Sequence, residues 1–448
     1  MRRRLRFRAL LVALALALAS VAAGCGDDDE GNGGATGGGG TETAADVSGE
    51  VSVVGIWTGP EQRSFQAVID TFNETYPNVR ITYQAAGDNV PTVVGTAVEG
   101  GNPPDIATIA QPGLIEQFQQ RGALEPIEYA RDTIEDNYSS DFVDLGTIDG
   151  ELYTFVFKGA NKSTVWFNVR SFEDAGVEPP ATWEEMQEAA RTIEASGVPT
   201  YSIAGADGWT LTDLFENIYL RQAGPEMYDQ LAEHRIPWTD ESVRTALASM
   251  GEIFQNGNNI AGGRNGALQI EFPDAVSAVF SEDPRAALII EGDFVPGVIG
   301  DANPLEPETG YDVFAFPSIE GEGGAAVVGG GDSITVFSST PAVRAFVEWL
   351  ATPAAAEVWA ERGGFSSPNR NLEDSVYPDE ITRETASAIA EAEPFRFDMS
   401  DLAPAAFGGT PGQGEWAILQ DFLADPSNVD GTAQALERSA ARAFRDQG

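Results

Sequence analysis

Histidine and cysteine are almost missing from this 448-residue chain: each occurs once, as His234 and Cys25. A lone cysteine forms no internal disulfide, which excludes a disulfide-stapled scaffold. One histidine and one cysteine do not supply a zinc site, so no metal is expected. Without a second histidine or a serine-elbow motif, a Ser-His-Asp hydrolase is excluded. The Gly-rich stretches 329–331 and 408–414 lack the Gly-Lys-Ser/Thr ending of a phosphate loop and do not fit a dinucleotide fingerprint, so no ATP site and no cofactor are expected. Positive charge is scarce as well: 26 basic residues face 70 acidic ones, a formal net charge of -44. Such a surface repels nucleic acid and anionic headgroups, and it keeps a protein soluble outside the cell. Lysine is rarest among the basic residues. Lys158 and Lys162 are the only two, both inside the heptapeptide "FKGANKS".

The position of Cys25 points to its use. Arg2, Arg3, Arg4, Arg6 and Arg8 form a basic start, an apolar run covers 9–19, and the small residues Ala22, Ala23 and Gly24 lead into the cysteine. The apolar run is shorter than the roughly 20 residues that span a bilayer, and the layout is that of a secretory signal. Ending on Ala-Ala-Gly-Cys, it resembles a bacterial lipoprotein signal, with residues 1–24 removed and Cys25 lipidated. That would anchor the chain to the outer face of the cell membrane without a transmembrane helix. Loss of 1–24 takes five arginines and no acid, moving the charge from -44 to -49. Residues 25–49, acidic and then rich in Gly and Thr, read as a flexible tether.

The remaining 400 or so residues exceed one simple core and predict two lobes. "EVSVVGIW" reads as a buried strand. "PEQRSFQAVIDTFNETYP" places Phe65, Val68, Ile69 and Phe72 at helical spacing. "NVRITYQA" and "NPPDIATIA" are further strands, and "GLIEQFQQRG" is a helix stopped by Gly122. This alternation predicts a mostly parallel sheet covered by helices. Downstream, "ATWEEMQEAARTIEASG" opens with a capping box, Thr182 with Glu185, and closes at Gly197. "TDESVRTALASMGEIFQNG" is a second capped helix. Pro341 and Pro353 open two joined helices.

Five stretches in order carry a resemblance: "VSVVGIWTGPEQRSFQAVIDTFNETYPNVRITYQ", "GGNPPDIATI", "IDGELYTFVFKGANKSTVWFNVRSFEDAGVEPPATWEEMQEAARTI", "AALIIEGDF" and "AFVEWLATPAAAEVWAERGGFSSPN". Together they resemble the extracellular solute-binding proteins of ABC importers, family 1, across nearly the whole body. Within the carbohydrate-binding branch, "NKSTVWFN" and "GWTLTDLFENIYLRQAGP" look most like α-glucoside-binding proteins. Phe167 stands where that family usually has Tyr, and Phe294 where many members have Trp. The resemblance implies an α/β fold of two lobes around a ligand cleft, joined by three crossings near Lys158, Ile319–Ala326 and Phe365–Pro368. Lobe 1 is then 50–157 with 327–364, and lobe 2 is 158–326 with 365–448. It also implies a monomer that hands a sugar to an ABC permease with a separate ATPase subunit.

A sugar presents apolar ring faces and hydroxyl edges, met by aromatic rings and by charged or amide groups respectively. Both kinds occur in the expected strand-to-helix turns: Trp57, Gln111, Asn161 with Lys162, Trp209 with Asp213, Asp293 with Phe294, Asp332 in "VVGGGDSI", and Trp416 in "GQGEW". Trp57, Trp209 and Trp416, flanked by Gly or Thr, are expected in loops as stacking platforms. Trp166, Trp183, Trp349 and Trp359 are expected in cores. Asp213 is either a helix cap or a ligand contact, and Asp332 a ligand contact or a turn cap. Lys162 is expected to donate to ligand hydroxyls beside Asp213, the competing role being an ion pair between segments. Lys158 has no such assignment, and His234 is expected on the surface. Two other classes stay open at this stage. One is a secreted glycosidase, since 70 acids make chance carboxylate pairs plentiful; the other is an adhesive or structural lipoprotein.

Overall fold

A computed structural model describes residue 44 and residues 46–448, except 303, 304, 322, 325, 392–394 and 448. Cys25 and the signal segment therefore lie outside the described residues. Residues Glu42–Gly448 form one compact unit. Its strands are β1 (Gly49–Gly55), β2 (Val79–Ala85), β3 (Ile106–Ile109), β4 (Thr147–Ile148), β5 (Glu151–Leu152), β6 (Thr154–Asn161), β7 (Thr164–Asn168), β8 (Tyr201–Ser202), β9 (Leu288–Ile290), β10 (Tyr311–Ala315), β11 (Val327–Val336) and β12 (Phe395–Phe397).

Two sheets organise the body. The first runs β12-β11-β3-β1-β2, with β6 on the other side of β11, and the second runs β10-β7-β9-β8. The β2-β1-β3 portion is parallel, as the alternation of strands and helices predicts. The sheets as wholes are mixed: β11 runs antiparallel to both β3 and β6, and β7 antiparallel to β9 and β10. In the first sheet the departure comes from β11, which returns from the second sheet and so runs against β3 and β6, while β12 runs parallel to it. The outward passage is very short. β6 ends at Asn161 in the first sheet and β7 begins at Thr164 in the second, leaving Lys162 and Ser163 between them.

Local sequence explains the helices. The helix Gly59–Thr75 has proline in its first turn, and its buried stripe is Phe65, Val68, Ile69 and Phe72. Trp183–Ser196 carries the expected capping box and ends in left-handed Gly197 at φ 101°. Asp240 caps Glu241–Gln255, and Pro341 and Pro353 open their helices. One apolar cluster packs β1 and β6 against the Gly59–Thr75, Pro341–Leu350 and Pro353–Ala360 helices, and includes Trp57 and Trp359. Another fills the second half around the Trp183–Ser196, Trp209–Ala232 and Glu241–Gln255 helices. Trp166, Trp183 and Trp359 are buried as expected, and Trp349 packs half-buried against the first cluster. Among the described residues no helix is long and apolar enough to cross a membrane.

Candidate functional site between the sheets

Lys162 lies on the two-residue link between the sheets, which places its ammonium among several segments. It donates to Asp213 Oδ1 at 3.0 Å and to Asp398 Oδ2 at 2.5 Å, with Asp401 Oδ2 at 3.5 Å. Asp398 is itself held: Ser400 Oγ and the Asp401 amide both donate to its Oδ1. Burial works against the charge on Lys162, but the three carboxylates outweigh it and hold the ammonium well above the usual lysine range. Burial likewise opposes ionisation of Asp398. Lys162 and the donated hydrogen bonds overcome it and keep this carboxyl depressed. The remaining acids pay for the crowding. Burial pushes Asp213 up despite Lys162, and burial with the Asp398 charge pushes Asp401 up to about 8. This geometry is an ion pair joining three chain segments, the role that competed with ligand donation in the sequence. Asp213 falls within the Trp209–Ala232 helix, whose N-cap is Gly208 without a side-chain bond, so it is not a helix cap.

Lys158 anchors a second group. Its Nζ donates to Glu61 Oε1 at 2.8 Å, stands 4.0 Å from Asp332 Oδ2, and lies 5.0 Å from the centroid of the Phe294 ring. Asp332 in turn accepts from Trp57 Nε1 at 2.6 Å. Two expectations change here. Trp57 is 1% exposed, packed on Phe65 and Trp359 with ring centroids 4.6 and 4.9 Å away. It lies in the loop after β1, as expected, but is part of the core rather than a stacking platform. Asp332 lies inside β11 rather than in a Gly-rich turn. The glycines before it are needed because neighbours press on the strand. A Cβ on Gly329 would meet Phe395 at 2.3 Å, one on Gly330 the Lys162 stem at 2.9 Å, and one on Gly331 Val156 at 2.4 Å.

The other candidates lie around these two groups. Trp209 opens its helix, half-buried, with its ring 5.9 Å from Phe294 and 5.4 Å from Phe272. Asp293, just after β9, accepts from Ser366 Oγ at 2.5 Å, and burial raises its carboxyl to about 6. Its amide donates to the Asn161 carbonyl, while the Asn161 side chain accepts from the Ser163 amide. Trp416 is buried in the first turn of the helix Gly414–Ala424, not in a loop, and its indole N–H has no hydrogen-bond partner. Gln111 stands apart: it precedes the helix Pro112–Gln120, and its side chain abuts Gly409. His234 pairs with Glu437 at 3.1 Å and is half-buried.

Sequence reasoning missed Asp398, Asp401, Glu61 and Glu216. Glu216 is fully buried and accepts from Tyr228 Oη and from the amides of Met399 and Ser400. With 70 acids in the chain, nothing in local pattern singles these four out. Asp88 was missed too. Burial, with Asp207 and Glu271 adding to it, raises Asp88 to about 7, so a carboxylate beside β2 comes within electrostatic range of two from the second half. Among the described residues no group of histidine, cysteine or acid side chains is arranged to hold a metal ion. A cavity of about 410 Å³ beside the first sheet is lined by Gly113, Leu145, Phe155, Phe397 and Leu402 among others, and contains none of the predicted residues.

Two mixed sheets with their own helical layers, passing the chain between them beside a buried ionic cluster, define a two-lobed α/β receptor fold. The match to known proteins agrees. Residues 57–357 match the family model for bacterial extracellular solute-binding proteins, and the chain belongs to that family. It is 33% identical over 403 residues to the osmoprotective compounds-binding protein of Synechocystis sp., covering 88% of this chain and 93% of that one. It is 32% identical over 400 residues to the alpha-glucosides-binding periplasmic protein of Rhizobium meliloti, covering 86% of each. Among solved structures, a bacterial solute receptor described as preferring β-D-galactopyranose superposes with a TM-score of 0.77. It is 20% identical, and the match covers 89% of this chain and all of that one.

Proposed function

We propose that this chain is the lipid-anchored, extracytoplasmic sugar receptor of an ABC importer. It captures an α-glucoside or another oligosaccharide between lobe 1 (50–157 and 327–364) and lobe 2 (158–326 and 365–448). It then delivers the sugar, as a monomer, to the membrane permease, which a separate ATPase subunit drives. Closure of the lobes is a hinge motion about the crossings. The observation that carries the sugar class is the end-to-end similarity to an alpha-glucosides-binding protein.

The chemistry between the sheets supports it. Half-buried Trp209 and Phe294 offer ring faces for a sugar, and buried carboxylates around them offer acceptors for hydroxyls. Trp57, Gln111, Asn161, Lys162 and Asp332 are then chiefly the frame, and Trp209, Asp213, Asp293, Phe294 and Trp416 the contacts. Glycoside hydrolysis finds no support in the relatives, which are binding proteins.

The test is a thermal-shift screen of maltose, trehalose, sucrose, maltodextrins and monosaccharides. A bound sugar at 100 times its dissociation constant adds about 2.7 kcal/mol of stability and returns chemically unchanged. Affinity for a neutral sugar should vary little between low and physiological salt. No shift with any of these sugars, or release of monosaccharide from a disaccharide, refutes the reading.

A further inference from the structure

Glu415 is 0% exposed, and neither of its carboxylate oxygens has a hydrogen-bond partner. That is unusual on two counts. Buried polar groups are nearly always bonded, and an unpartnered buried carboxyl is among the costliest groups a fold can carry. Glu415 also lies in the first turn of the helix Gly414–Ala424, where free amides are close by, yet its side chain takes none of them. Glu216, equally buried, shows the opposite pattern, with both oxygens accepting from a tyrosine hydroxyl or from amides.

The surroundings of Glu415 locate it. Asp398 and Asp213, the two acids bonded to Lys162, are close enough to push its carboxyl further up after burial has done so. Three neighbouring groups share its condition. Asp213 Oδ2 and Glu291 Oε2 are buried without partners, and so is the indole N–H of Trp416, the next residue. Glu291 is coupled to Asp213 in turn. Asp213, Glu291 and Glu415 thus carry unfilled oxygens within electrostatic range of the Lys162 cluster, and Trp416, next in sequence to Glu415, carries an unfilled donor.

We propose that Glu415 is a ligand-binding residue whose carboxyl hydrogen-bonds a pair of adjacent hydroxyls of the sugar, with Trp416 donating to a neighbouring sugar oxygen. This rests on the sugar reading above. Kept protonated by burial and by the charges of Asp398 and Asp213, this carboxyl offers one acceptor and one O–H donor side by side, which suits a ligand edge of two hydroxyls, one giving and one taking a hydrogen bond. The burial of the orphaned group is a standing cost to the empty protein, and the bound hydroxyls offset it.

The experiment compares the parent protein with Glu415→Leu and Glu415→Gln. Each is titrated calorimetrically with maltose, trehalose and sucrose, and each is melted without sugar. Loss of the hydrogen bonds to the ligand, which leaves its hydroxyls buried and unpaired, predicts about 5- to 150-fold weaker binding for Glu415→Leu, with Glu415→Gln, which keeps one donor and one acceptor, closer to the parent. The sugar-free Glu415→Leu protein should melt at the same temperature as the parent or higher, because a desolvated carboxyl is gone. A merely structural glutamate would lower that melting point instead. Parental affinity in both variants, or a lower sugar-free melting point for Glu415→Leu, overturns the proposal while the sugar reading stands. If the parent protein binds none of these sugars, the sugar reading fails and this proposal falls with it.

Discussion

Replacing Lys162 by methionine removes the one ammonium that three buried acids share and keeps most of its apolar stem. In the parent, that ammonium bonds Asp213 at 3.0 Å and Asp398 at 2.5 Å and lies 3.5 Å from Asp401. The side chains of all three acids are under 10% exposed, at 3%, 1% and 8%. Removing one partner of a buried ion pair costs about 3–5 kcal/mol, because the charge left behind has lost its solvent and gained nothing. Here the stranded charge is that of Asp398, which the ammonium keeps ionised, with Asp213 and Asp401 already pushed up beside it. The assay is urea unfolding of the sugar-free protein, read at pH 7 and again at pH 5. Without the ammonium, Asp398 joins Asp213 and Asp401 in having a folded-state pKa above its unfolded one. The added penalty of that third raised carboxyl is greatest at high pH and is relieved as falling pH protonates it, so the gap between variant and parent should narrow at pH 5. The reasoning is refuted if the variant unfolds at the parent's urea midpoint at pH 7, or if the gap is the same at both pH values.

Asp88→Asn should make the fold less sensitive to pH. The folded-state pKa of Asp88 is raised to about 7, so its contribution is full below the unfolded value near 4 and is lost as pH rises through about 7. The variant should therefore match the parent in melting temperature at pH 4 and exceed it at pH 8; equal melting at pH 8 counts against a carboxyl raised by burial with Asp207 and Glu271. Gly113→Ala should destabilise by about 1–3 kcal/mol in a denaturant titration, since its Cβ would lie 2.2 Å from the carbonyl oxygen of Ala403 in another segment. Cys25→Ser should move the protein from the membrane to the soluble fraction or block its processing, measured by fractionation and mass of the mature chain. A variant matured and retained like the parent would end the lipoprotein reading.

Periodicity and caps were enough to read the local architecture from the amino-acid order. The stripe Phe65, Val68, Ile69 and Phe72, the Thr182–Glu185 box and the prolines at 341 and 353 all sit where the pattern placed them, because each depends on neighbours within a turn or two of helix. Family resemblance carried the reading from elements to a two-lobed α/β fold. What the order of residues could not show is direction and partnership across long separations. Strand β11 looked like a turn because of its glycines, yet those glycines answer to Phe395, Lys162 and Val156, which only the folded chain brings alongside. Trp57 looked exposed because Thr and Gly follow it, yet Phe65 and Trp359 enclose it. Lys162 stood out by composition alone. Which of 70 acids would meet it was decided by tertiary structure, which carries Asp398 across 236 positions to within 2.5 Å. Local pattern encodes what neighbouring residues bury and cap; long-range charge pairing leaves no periodic trace, so only the assembled sheets reveal it.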